Sequence, residues 1–310
     1  MDADWKQGSF CKDGWISYCW NRTPKNPYPK HDFEIFLNPS TPTKLLSMEK
    51  AAIKTVEDIC QSYKNKKIFL AMSGGIDSEY IAVILRKMQI DFTPIIVHIE
   101  QYNQIDYQWA HKWCDKNDIK PMVYELSLSQ YILKCINRTK KYYTRRAQAA
   151  SIIEVCANIA RENNGVLIAG CGTHELYIPD PIMSLEAKDL TLQNKIGYVF
   201  NETDLIKHFV APDMPIMFFN WSPEIMLAYM HARNPKLTTE ENRVKLFECV
   251  SRPKYGVITT NWKTEPVDLK NPFYKSILYI GSLIEGLGSS DSYYLGTTEN
   301  LMKVLKHENI

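Results

Sequence analysis

The chain has 310 residues, of which 45% are apolar and 23% charged, with a formal net charge of +2. That length suits one large domain or one domain with appendages, and the near-neutral charge gives no overall pull toward nucleic acid or a membrane. No apolar run approaches the roughly 20 residues of a bilayer-spanning helix, and no basic-then-apolar leader opens the chain, so a cytoplasmic protein with no membrane association is expected.

Residues 1–44 are rich in Trp, Tyr and Pro and read as an irregular flap with one short strand over 33–37. From 45 to 63, Leu46, Met48, Ala52, Ile53, Val56 and Ile59 fall at helical spacing. Residues 67–72 form a short apolar strand that stops at Ser73-Gly74-Gly75. From Ser78 onward, Tyr80, Ile81, Ile84, Leu85 and Met88 restore a helical pattern. A strand at 93–100, a helix at 107–117 and a strand at 122–126 follow. A long helix over 145–163 then leads into a buried strand at 165–169. A last strand is expected at 215–221, entering a helix capped at Ser222 with Pro223 and Glu224 in its first turn. Strands alternating with helices predict an α/β fold with a doubly wound, parallel, five-stranded sheet over residues 45–222. Beyond 223 the pattern turns helical, at 223–232, 238–250, 275–287 and 299–306, with 286–292 as a linker. Residues 223–310 are therefore expected to form a helical, substrate-selecting extension.

The eight cysteines include no Cys-x-x-Cys pair, so zinc ribbons and thioredoxin-type pairs have no support. The informative stretch is the turn Ser73-Gly74-Gly75-Ile76-Asp77-Ser78. A strand-turn-helix of this shape aims backbone N–H groups and the positive end of a helix dipole into one concavity, which suits an anion and above all phosphate. Adjacent glycines let the backbone approach without a Cβ in the way. No lysine follows them, so the turn is not the G-x-x-x-x-G-K-[ST] loop of kinases and GTPases. The carboxyl ends of the strands at 67–72, 93–100 and 165–169 are expected to face one crevice, where such sheets bind ligands.

The hexapeptide SGGIDS resembles the SGGxDS signature of the PP-loop ATP pyrophosphatases. These include asparagine, GMP and NAD synthetases, tRNA-thiolating enzymes and phosphoadenylyl-sulfate reductases. The resemblance covers residues 45–222 and implies the fold called HUP or adenine nucleotide alpha hydrolase-like, with ATP and Mg²⁺ as cofactors. It implies that Ser73, Gly74, Gly75, Ile76, Asp77 and Ser78 hold the pyrophosphate end of ATP, with Ser73, Asp77 and Ser78 in the catalytic group. Asp77 would help hold Mg²⁺ or serve as the N-terminal acid of the helix. Val97, His98 and Ile99 would lie against adenine, with His98 either catalytic or simply packed at the strand end. Gly170, Gly172 and Thr173 are similar to the family's second glycine turn at the ribose and α-phosphate. Glu175 and Asp180 are further metal candidates, or residues of a surface loop.

Residues 134–146 carry Lys134, Arg138, Lys140, Lys141, Arg145 and Arg146, with Tyr142 and Tyr143 between them. This run reads either as a solvated helix start or loop, or as a binder of phosphate or nucleic acid. Cations at a helix start oppose its dipole, which singles out Arg145 and Arg146 as phosphate ligands. Ile76 and the Gly-Thr-x-Glu segment ending at Glu175 look like the amide-forming branch. The segment Trp221-Ser222-Pro223-Glu224 is similar to one in the sulfate reductases, but Cys249 lacks the glycine and histidine of their nucleophile. An N-terminal glutaminase nucleophile is missing too, so nitrogen would come from ammonia, an amine or a partner chain. The expected function is adenylation of an oxygen on a small-molecule or nucleotide acceptor, releasing pyrophosphate, followed by attack of a nitrogen nucleophile. Sulfur transfer and a non-catalytic nucleotide- or nucleic-acid-binding module are the alternatives.

Overall fold

A computed structural model describes residues 6–9, 15–20, 33–37, 39, 43–100, 102–142, 147–171, 174–177, 197–201, 215–232, 292–297, 300–301 and 303–304. Its centre is built from five strands: β4 (Lys67–Ala71), β5 (Phe92–Ile99), β6 (Met122–Leu126), β7 (Gly165–Ala169) and β10 (Ile216–Met217). They lie in the order β10-β7-β4-β5-β6, and every neighbouring pair is parallel. The expected α/β fold with a five-stranded parallel sheet is present.

The strand patterning explains why this sheet is covered on both sides. Along β4, Ile68, Leu70 and the following Met72 enter one apolar cluster while Phe69 and Ala71 enter another, as the period of two requires. The first cluster takes in α1 (Met48–Ser62), α2 (Ile76–Lys87), α3 (Gln104–Lys116) and α6 (Pro223–His231). The second takes in α4 (Leu128–Tyr142) and α5 (Ala147–Glu162). Burial on both faces is what lets parallel strands read as near-continuous apolar runs. Only β6, at the edge, leaves Met122, Val123 and Tyr124 exposed.

Pro94 sits inside β5 without breaking it. The Met72 N–H donates to the Ile95 carbonyl at 2.9 Å, so Ile95 faces β4 and the ring nitrogen of Pro94 faces the opposite side. There the ladder with β6 begins only at Ile95, paired with Met122. The missing donor of Pro94 therefore costs no ladder bond.

Three local expectations change. The strand expected at 215–221 is two residues long, and Phe218–Asn220 form a single 3₁₀ turn. Phe218 and Phe219 both enter the first cluster, which consecutive residues of a strand, pointing to opposite faces, do not do. Ser222 still caps α6, its hydroxyl accepting from the Ile225 N–H at 3.5 Å. Second, the basic run lies partly on α4, which Tyr131, Cys135 and Arg138 anchor as a buried stripe at spacings of four and three. Third, two small antiparallel sheets flank the centre. Lys6–Ser9 (β1), Ile16–Trp20 (β2) and Phe33–Leu37 (β3) form one, in place of a flap with a single strand. His174–Tyr177 (β8), Gly197–Asn201 (β9) and Ser292–Thr297 (β11) form the other, in the order β11-β9-β8. The first is tied to the centre where the Trp15 indole N–H donates to the Trp221 carbonyl at 3.3 Å. The helices expected at 238–250 and 275–287 lie outside the described residues.

Candidate active site

The strand order reverses between β4 and β7, and ligands of such sheets bind outside the carboxyl ends at that reversal. The turn 73–78 leaves β4 there. Ser73 Oγ accepts from the Gly75 N–H at 3.2 Å and lies 3.2 Å from Ser78 Oγ, while the Ser78 hydroxyl donates to the Gly75 carbonyl at 2.9 Å. Two serines thus close the loop on itself from inside. Gly75 is the N-cap of α2, which has no side-chain cap bond, so the helix presents its first N–H groups as an anion would require. The helix begins at Ile76, two residues ahead of the expected start, which puts Asp77 in its first turn.

Each glycine of the site meets a different demand. Gly74 has φ +78°, and a Cβ there would lie 2.1 Å from the Asp106 carbonyl oxygen. The start of α3 is therefore pressed against the 73–78 turn, a contact that nothing local in the sequence announces. A Cβ at Gly170, just after β7, would lie 3.1 Å from Asp77 Cβ and 3.2 Å from the Ser78 N–H nitrogen. Gly170 thereby lies against the 73–78 turn; its own φ is ordinary, and the need for glycine there is one of space.

The end of β5 is more heavily bonded than expected. His98 places Nδ1 2.5 Å from Glu125 Oε2 and Nε2 2.9 Å from Gln104 Oε1, and its ring stacks on Tyr107 with centroids 4.1 Å apart. Both ring nitrogens are engaged, which matches the packed reading of His98 better than the catalytic one. Asn103, which the sequence reading passed over, donates from Nδ2 to the Val97 carbonyl and accepts at Oδ1 from the Ile99 N–H, both at 2.8 Å. A cavity of about 290 Å³ opens on the α3 side of the turn, lined by Met72, Gly74, Glu79, Trp109, Lys112 and Lys116 among others. The Lys112 ammonium stands 5.1 Å over the Trp109 ring.

Of the remaining candidates, Glu175 lies in β8, its backbone paired with Val199, rather than in a loop. Gly172, Thr173, Asp180, Arg145 and Arg146 lie outside the described residues. Lys134 and Arg138 both reach Glu154 on α5, at 3.9 and 2.7 Å, so these two cations of the basic run hold α4 to α5. Among the described residues, no three His, Cys, Asp or Glu side chains gather as a metal cage. A phosphate-bound Mg²⁺ needs none, since it usually takes one or two carboxylates with phosphate and water. Among the described residues no helix is long and apolar enough to cross a membrane.

No protein-family model and no curated protein matches the chain. Among solved structures it is similar to an NH3-dependent NAD synthetase from Campylobacter jejuni in complex with the nitrate ion, at 17% identity over 41% of this chain and 58% of that one, with a TM-score of 0.31. It is similar to a predicted subunit of tRNA methyltransferase from Methanocaldococcus jannaschii, at 19% identity over 34% and 53%, with a TM-score of 0.28. It is also similar to the NMN synthetase from Francisella tularensis, at 16% identity over 79% and 97%, with a TM-score of 0.33. The chain spans little more than half the length of the first two. At these identities and TM-scores, the reading of the site stands on the chain's own geometry.

Proposed function

We propose that the chain is an ATP pyrophosphatase of the ligase kind, one that adenylates an oxygen of an acceptor molecule and releases pyrophosphate. A nitrogen nucleophile, from ammonia, an amine or a partner chain, then displaces AMP. The observation that carries this reading is the cradle at 73–78. A positive-φ glycine, a serine pair bracing the loop and an α2 N-terminus without a side-chain cap meet at the reversal point of a parallel sheet.

In-line attack on an α-phosphate needs the leaving pyrophosphate positioned and its growing charge met by fixed donors. The N–H groups of Gly74 and Ile76 are the donors for that task, and the Gly75 N–H and the hydroxyls of Ser73 and Ser78 would join them by giving up the bonds they make to one another within the turn. Asp77 would hold the Mg²⁺ that accompanies ATP, the remaining ligands being phosphate and water. Val97, His98 and Ile99 border the adenine, and Gly170 brings backbone toward the α-phosphate. Gly172, Thr173, Arg145, Arg146, Glu175 and Asp180 complete the proposal as ribose, phosphate and metal contacts.

The test is to incubate the protein with Mg²⁺, α-labelled ATP and a deproteinised cell extract that supplies acceptors, then resolve AMP from ADP. AMP with pyrophosphate is expected, and ADP with phosphate overturns the assignment. Asp77→Ala is expected to slow AMP formation by about 10² or more, the usual cost of losing one electrostatic contact to the reacting phosphate. Unchanged turnover removes Asp77 from the site.

A further inference from the structure

β5 outruns its neighbour. β4 ends at Ala71, and its last ladder contact is the Met72 N–H bond to the Ile95 carbonyl. β5 continues to Ile99. In a parallel ladder the two backbone groups of a residue point to one side, and alternate residues point to opposite sides. Ile95 faces β4, so Val97 and Ile99 face the same way, into the space above the phosphate turn where no strand remains. The Glu100 N–H confirms the alternation by bonding to Leu126 of β6, on the other side.

That open edge carries an acceptor, the Val97 carbonyl, and a donor, the Ile99 N–H. One carboxamide satisfies both, with Nδ2 of Asn103 on Val97 and Oδ1 on Ile99, each at 2.8 Å. The same side chain leaves undone the task its position invites. Asn103 is the N-cap of α3, a place where asparagine ordinarily accepts from the helix's first N–H groups, yet it makes no cap bond. Its amide is committed to β5 instead.

A planar group with a donor beside an acceptor is what this edge takes. A carboxamide is one; the adenine edge, an amino donor beside a ring-nitrogen acceptor, is another. Guanine offers a carbonyl acceptor where adenine has its amino group and so faces the Val97 carbonyl with the wrong sign. We propose that Asn103 is a built-in stand-in for the base, holding the Val97 and Ile99 pair until an adenine edge takes its place and the amide swings out. Asn103 then sets the apparent affinity of the site, while the Val97 and Ile99 pair sets the base preference. A base that leaves either backbone group unpaired does not offset the loss of the amide's bonds, and even adenine binds more weakly by the fraction of molecules in which the amide is in place. The swing also frees the amide to cap α3, so the helix start gains what the strand gives up.

This inference rests on the reading of the site as an ATP site, and adenosine, which has no phosphates, separates the two. Adenosine and guanosine are titrated calorimetrically into the wild-type protein, Asn103→Ala and Asn103→Asp. In the aspartate variant the isosteric carboxylate loses the donor to Val97 and repels its carbonyl. Both variants are expected to bind adenosine about tenfold more tightly than wild type, the order set by removing a competitor that makes two hydrogen bonds. Guanosine affinity is expected to change by less than twofold. A side chain that merely props the strand end would give the reverse, weaker binding of every nucleoside on its removal. Unchanged or weaker adenosine binding in two variants whose melting is cooperative overturns the proposal, as does absence of adenosine binding from all three proteins. AMP formation by the wild type decides the ATP reading separately. Turnover with no gain in adenosine affinity sinks the gate alone, and a gain in affinity without turnover sinks the pyrophosphatase alone.

Discussion

Replacing Gly74 by alanine tests the central contact of the site. The new methyl would start 2.1 Å from the Asp106 carbonyl oxygen, 2.9 Å from its carbon and 3.2 Å from the Ala110 nitrogen. All three are backbone atoms of one helix, so no side chain can turn aside and α3 itself must move. A φ of +78° adds a conformational penalty of about 1–2 kcal/mol for any residue with a Cβ, and overpacking adds about 1–3 kcal/mol. Together they imply a loss of about 2–5 kcal/mol. The neighbouring Gly75 is the internal control. Its φ is negative, −81°, and its nearest obstacle is the Ser73 hydroxyl at 3.2 Å, so Gly75→Ala is expected to cost about 1 kcal/mol or less, chiefly as a poorer N-cap. Urea unfolding followed by far-UV circular dichroism measures both, with the midpoint shift read at constant slope. If Gly74→Ala unfolds within about 0.5 kcal/mol of wild type, or if the two variants cost the same, the packing of α3 on the 73–78 turn is wrong.

Two further outcomes follow from the packing around the sheet. Glu224, in the first turn of α6, is paired with Lys54 of α1. Burial works to raise its carboxyl, but hydrogen bonds from Lys54, its own backbone and Ser222, with the Lys54 charge, outweigh burial and hold it below the ordinary 4.5. A carboxyl depressed in the folded state contributes stability above its unfolded value, and that contribution is lost as pH falls through the folded one. Glu224→Gln should therefore flatten the stability profile below about pH 4.5 while costing about 1 kcal/mol or less at pH 7, since the Lys54 side chain is 43% exposed; chemical unfolding at several pH values checks it, and an unchanged acid limb refutes the pairing. Burial also pushes the Cys156 thiol up to about 12, and burial with the Asp115 charge pushes Cys114 up to about 11. Iodoacetamide at pH 8 should leave both unlabelled until denaturant is added, and peptide mapping that finds either alkylated in the native protein at a free-thiol rate contradicts their place in the core.

Much of the centre was legible because its signals are local. The strand-turn-helix of β4, the 73–78 turn and α2 lies within about twenty consecutive residues, and its apolar periods and glycines state its geometry outright. The strands β5, β6 and β7 were equally plain. What escaped was structure whose cause lies elsewhere in the chain. The two-residue β10 depends on Phe218 and Phe219 sharing one apolar cluster. α4 is held by Glu154 of the next helix, so its charges looked like solvated ones. The order in β8, β9 and β11 joins segments more than a hundred residues apart.

Hydrophobic period and glycine placement are properties of neighbouring residues, and they were enough to put a glycine turn at 73–78 between a strand and a helix of a parallel sheet. What surrounds that turn came from the long-range fold: Gly170 against Asp77, Asp106 against Gly74, and the Asn103 amide on the free edge of β5. Those contacts arise from which strands pair and where one outlasts its neighbour. Pairing and strand length are settled by long-range burial, which the chain encodes across its whole length and displays at no one position.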